Sequence, residues 1–176
     1  MTVIRPADTA ETIVAWAVAL ENKNGPTALV LSRQNLCALA EDQMKAKGLR
    51  KGAYVINEPS KIDAILVSNG SELEVAIEAA RILAERGIGL RVVSMPSHEL
   101  FASQDQSYKE SIFPESITKR IAVEAAVQMP WYHIVGNSGL VIGMNSFGAS
   151  APYQQLAEEF GFTAEKVAER IEDYLA

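Results

Sequence analysis

Arg33 is the residue whose type and position best suit contact with a ligand. It closes the stretch ALVLSR, where an apolar run is followed by a guanidinium. Ala28 to Leu31 read as a strand covered on both faces, and in open α/β sheets ligands sit outside the carboxyl ends of such strands. A guanidinium suits phosphate there, because its planar fork donates two parallel, charge-assisted hydrogen bonds. Spacing alone leaves the partner open, and an ion pair between domains or subunits fits slightly better than a ligand contact.

Other reactive residue types are sparse. His98 in MPSHELF and His133 in PWYHIVG have no serine, cysteine or carboxylate at a spacing that suggests a nucleophilic relay, so both read as surface or packing residues. Cys37 is the single cysteine; it reads as a small buried apolar group with no basic neighbour to lower its pKa. Two histidines and one cysteine give no zinc constellation of ordinary spacing. The turn SNGSELE gathers free amides at a helix N-terminus, yet Glu72 and Glu74 would repel a phosphate, and the spaced-glycine dinucleotide fingerprint is absent. Trp131, Tyr132 and Phe147 read as core or interface packing rather than as an aromatic binding cluster.

The net charge of -6 and the lack of a clustered basic face exclude a general nucleic-acid binder. Lys45, Lys47, Arg50 and Lys51 read as a solvated linker or helix face. With 48% hydrophobic and 22% charged residues the chain has a globular composition. No stretch approaches the roughly 18 to 20 apolar residues of a membrane span, and the N-terminus lacks the basic flank and apolar run of a secretory signal. A cytoplasmic protein with no membrane partner is expected.

Arg33 must be delivered by the elements around it. TVIRP reads as a strand stopped by Pro6, and Asp8 with Glu11 starts a helix carrying Ile13, Trp16, Ala17 and Leu20 that ends near Asn24 and Gly25. With the ALVL strand this makes a parallel strand-helix-strand unit over residues 2–33, too small to bury its own apolar faces. Residues 36–52 are polar and read as an interdomain linker. A second unit follows: an edge strand in AYVINEP, a buried strand at Ala64 to Val67, and a helix opened by a Ser71/Glu74 capping box. Strands in LRVVSMP, KRIAVEAA and GLVIGMNSFG come next, with a short helix over Tyr108 to Phe113 and closing helices over Tyr153 to Phe160 and Thr163 to Leu175. The alternation predicts an α/β sheet with helices on both faces.

RPADTAET and GPTALVLSRQNL, from Gly25 to Leu36, resemble the end of the pyrimidine-binding domain of transketolases. LVSNGSELEVA, LRVVSMPS, ESITKRIAVEAA and GMNSFGASAP, running into LAEEFGFT, resemble that family's C-terminal domain in order and spacing. The likeness covers essentially the whole chain. It implies a division into 1–35 (remnant of the pyrimidine-binding domain), 36–52 (linker) and 53–176 (C-terminal domain), with a mixed, mostly parallel sheet. It also implies transfer of a two-carbon ketol unit between sugar phosphates in the pentose phosphate pathway, with thiamine diphosphate and Mg2+ or Ca2+, in a homodimer. Arg33 matches the family arginine that contacts the substrate phosphate, and would hold it so that the reacting carbon sits over the cofactor. In the family, the groups that bind diphosphate and metal, and the glutamate that activates the thiazolium ring, lie before the segment matched here. The resemblance therefore implies no catalytic, cofactor-binding or metal residue in this chain, an excised or split piece inactive alone, and no cofactor bound to it. Similar C-terminal domains occur in 2-oxo acid dehydrogenase beta subunits and deoxyxylulose phosphate synthase, though LSRQNL favours transketolase. A non-catalytic assembly or regulatory module is the third reading.

Overall fold

The β-branched opening forms β1 (Thr2–Ile4) in the computed structural model, which describes residues 1–39 and 45–176. Asp8 then starts α1 (Thr9–Glu21): its side chain accepts the Glu11 amide at 2.8 Å, while Glu11 Oε2 accepts the Ala7 amide at 2.7 Å. The helix ends at Glu21, before the Asn24 and Gly25 expected from the sequence, because Asn22 turns to extended backbone. β2 (Thr27–Leu29) pairs parallel to β1, with Thr2 opposite Thr27. The strand-helix-strand unit is therefore present, with one correction. The ladder stops at Leu29, and Val30 and Leu31 are exposed rather than covered on both faces, since this sheet has two strands and α1 packs on one side.

Part of the stretch read as a linker, 40–44, lies outside the described residues. Its following part is a packed 3-10 helix, Lys45–Lys51, whose Leu49 is buried with Ile4, Ala15 and Tyr54. Two of the basic side chains here have partners: Arg50 pairs with Glu21 at 2.5 Å, and the Lys51 ammonium lies 4.1 Å from the Tyr108 ring centroid.

The second unit runs β3 (Tyr54–Asn57), β4 (Ala64–Ser68), α2 (Glu72–Glu85), β5 (Leu90–Ser94), α3 (His98–Ala102), α4 (Gln106–Ile112), β6 (Arg120–Val127), α5 (Tyr132–Val135), β7 (Leu140–Met144), α6 (Tyr153–Phe160) and α7 (Ala164–Leu175). Its strand order is β3-β5-β4-β6-β7, with β3 antiparallel at the edge and the other pairs parallel. β4 is central and buried over all five residues, as a parallel strand sandwiched by helices must be. Leu66, Val92 and Ile121 face one layer, where Leu73, Ala76, Ala80 and Leu83 of α2 repeat at helical spacing and meet Val167 and Ile171 of α7. Ile65, Val67, Val93 and Ala122 face the other, against Phe101, Ile112, Trp131 and Ile134. Ser71 does not form the expected capping box: its backbone is already helical, and its hydroxyl donates to Glu72 at 2.7 Å.

Candidate functional site

The chain leaves β4 through α2 to reach β5, then crosses back past β4 to reach β6. The carboxyl ends of these strands therefore border the crevice where ligands bind in this class of sheet. Here the chain's own opening segment fills it. The Arg5 amide donates to Pro96 O, after β5, at 2.8 Å, and Arg5 O accepts from the Gly70 amide, after β4, at 3.1 Å. The Arg5 guanidinium pairs at 2.5 Å with Glu124, a buried carboxylate in β6 just past its pairing with β4. Glu124 also accepts from Trp131 Nε1 at 2.6 Å. One residue thus touches the ends of three neighbouring strands.

Glu11 drives a second fastening into the same region. Its carboxylate is buried and accepts from Tyr54 Oη at 2.7 Å and Ser94 Oγ at 2.5 Å, besides the Ala7 amide. Burial pushes its pKa above the ordinary 4.5, and the three hydrogen bonds oppose that rise. Glu11 was legible in the sequence only as a helix-start residue. Glu124 carried a stronger signal, a lone charge inside the apolar strand IAVEAA.

Arg33 lies beyond β2 on an exposed segment, and it pairs with no carboxylate among the described residues. Its neighbours line two clefts. One, of about 460 Å³, is bounded by Asp8, Thr12, Trp16, Leu31, Ser32 and Gln34. The other, of about 330 Å³, lies across the segment and is bounded by Gln34, Asn35, Leu36, Glu72, Glu74 and Tyr153. The segment is thus a ridge between clefts, with a cation on it. Cys37 is exposed on the same ridge, not buried as expected, and Glu74 beside it pushes the thiol pKa up, away from nucleophilic reactivity.

The remaining sequence candidates lie elsewhere. His98 stacks edge-on against buried Trp131 at 4.6 Å and stands 5.3 Å from His133. Both histidines line a cleft that shares no residue with the two beside Arg33. Arg120 in that cleft is committed to the carbonyls of Phe113, Pro114, Ile117 and Ile134. Trp131 is core, whereas Tyr132 and Phe147 are exposed, Phe147 at 98%. The described residues do not fit the diphosphate and divalent cation that the resemblance implies. No group of three or more His, Cys, Asp or Glu among them could hold a metal ion, and the first turn of α2 already carries two carboxylates, buried Glu72 and half-buried Glu74.

Comparison with known proteins agrees with this architecture. The profile of the transketolase-like TK C-terminal domain matches residues 52–163. The chain is 49% identical over 173 residues to the transketolase of Staphylococcus epidermidis, covering 97% of this chain and 26% of that relative. A crystal structure of Pichia stipitis transketolase in complex with sedoheptulose-7-phosphate superposes with a TM-score of 0.89 at 35% identity, over 99% of this chain and 25% of that one. Transketolase from Leishmania mexicana gives 0.88 at 37% identity, again over 99% and 25%. The chain spans about a quarter of the length of these relatives. Since the profile takes in the five-stranded sheet and full-length transketolases align with the strand-helix-strand unit as well, the chain belongs to the transketolase family and carries its C-terminal domain.

Proposed function

We propose that this chain serves a transketolase by presenting Arg33 to the phosphate of a sugar-phosphate substrate, while ketol transfer is performed by polypeptide outside the chain. The observation that carries this reading is a guanidinium exposed on a ridge between two clefts, unpaired among the described residues, within the family's LSRQNL motif. The Pichia stipitis relative is described in complex with a sugar phosphate, which gives the ligand class. Thiamine diphosphate with Mg2+ or Ca2+ belongs to that other portion of the enzyme. The apolar side chains of Ile13, Trp16, Leu20, Val30 and Leu31, all exposed on the strand-helix-strand unit, supply a surface for that portion to cover. In the assembled, cytoplasmic enzyme we place the chain in a homodimer.

Reassembly tests the proposal. Mixed with the preceding portion of a transketolase, thiamine diphosphate and magnesium, the chain should support ketol transfer, and alone it should not. Arg33→Ala in that assembly should raise KM for a phosphorylated acceptor about 10- to 100-fold more than for an unphosphorylated one, the loss of a charge-assisted pair. An equal effect on both sugars removes the phosphate role. Sedimentation of the assembly as a species with one copy of this chain removes the dimer.

A further inference from the structure

We infer that Asp8 is a positioning residue for Arg33, an assignment that rests on the phosphate reading above. The ridge segment is fastened at its two ends. At one end the Val30 amide donates to Ile4 O at 2.9 Å. At the other the Leu39 amide donates to Asp8 Oδ2 at 3.1 Å, across 31 residues of sequence. Between these points Ser32 Oγ donates locally to Gln34 O at 3.0 Å, and the Cys37 thiol lies against the Glu74 carboxylate of α2. Arg33 stands inside that span, so its place depends on the fasteners at its ends.

Asp8 is built for two tasks. Oδ1 accepts the Glu11 amide at 2.8 Å and caps α1; Oδ2 is then free to take Leu39. A helix cap needs only one acceptor oxygen. Asp8 is 9% exposed and forms no ion pair among the described residues, so the α1 N-terminus and backbone amides balance its charge. The same turn carries Glu11, which is hydrogen-bonded to Tyr54 and Ser94 of the five-stranded sheet. The first turn of α1 therefore links the sheet, through Glu11, to the Arg33 ridge, through Asp8. Geometry of this kind matters because a misplacement on the order of 1 Å at a binding group can cost about a hundredfold in rate.

Two variants separate the tasks. Asp8→Asn keeps one acceptor oxygen, enough for the cap but not for both amides, whereas Asp8→Ala removes both. In the 176-residue chain, hydrogen exchange of the Leu39 amide should quicken by about tenfold in Asp8→Ala, with β4, β5 and β6 unchanged. Asp8→Asn should quicken the Leu39 amide and leave α1 protected. Unchanged exchange at Leu39, or equal quickening throughout the sheet, overturns the assignment. In the reassembled enzyme, Asp8→Asn should raise KM for a phosphorylated acceptor about tenfold more than for an unphosphorylated one, in the same sense as Arg33→Ala. If Arg33→Ala discriminates between the sugars and Asp8→Asn does not, the phosphate reading stands and this inference fails. If Arg33→Ala does not discriminate, the phosphate reading fails first.

Discussion

His98 is a residue whose surroundings make a measurable claim. Burial, then the neighbouring His133, lowers its pKa from 6.5 to about 4, with Glu99 opposing and Arg5 reinforcing. The folded state therefore holds the ring neutral over a range where the unfolded chain protonates it. The corresponding stability is present above pH 6.5 and is lost as pH falls toward 4. At about 1.4 kcal/mol per unit this amounts to at most roughly 3 to 4 kcal/mol. Glu11, with a raised pKa, works in the opposite sense, so the test is a difference: His98→Phe should flatten the acid-side loss of stability relative to the parent chain, measured by urea unfolding at several pH values. Parallel pH profiles for the two would show that His98 does not titrate with folding. At this scale a motif singled out Arg33 as a candidate, whereas residues whose meaning comes from contact were illegible. Nothing near Glu11 in sequence announces Tyr54 and Ser94, 43 and 83 residues away.

At the scale of elements, periodicity served well. The five buried residues of β4, the 3.6-residue spacing of α2 and α7 and the edge position of β3 all follow from patterns that packing enforces. Short elements escaped: α3 has five residues, and the 3-10 helix Lys45–Lys51 is polar apart from Ala46 and Leu49. That 3-10 helix is followed by Gly52, whose role is not visible in composition. Its φ is +84, and an added Cβ would lie 2.1 Å from Phe101 N and 2.5 Å from Ser97 O. Gly87, at φ +80, has nothing within 4 Å of such an atom. Gly87→Ala should thus cost about 1–2 kcal/mol from backbone strain alone, and Gly52→Ala about 3 kcal/mol or more, since α3 must move as well. Equal urea midpoints for the two variants would refute the close approach of α3 to Gly52.

The whole molecule shows an asymmetry between its two units. The five-stranded sheet has helices on both faces, while the two-stranded unit has one helix, α1, whose outer side carries Trp16 at 54% exposure. The chain has two tryptophans, and Trp131 is fully buried, so fluorescence reports the two places separately. Binding of the preceding transketolase portion should shift emission to shorter wavelength in Trp131→Phe, where Trp16 is the sole emitter, and leave Trp16→Phe unchanged. A complex that forms with no shift in Trp131→Phe would place the contact elsewhere.

The filling of the sheet's crevice by Arg5 and its neighbours bears on how this unit can be reused. A graft of residues 53–176 alone would carry the complete five-stranded sheet but leave Glu124, Ser94 and Tyr54 without Arg5 and Glu11. The modular piece that a protein engineer can move is therefore larger than the sheet, and takes in at least Arg5 and Glu11.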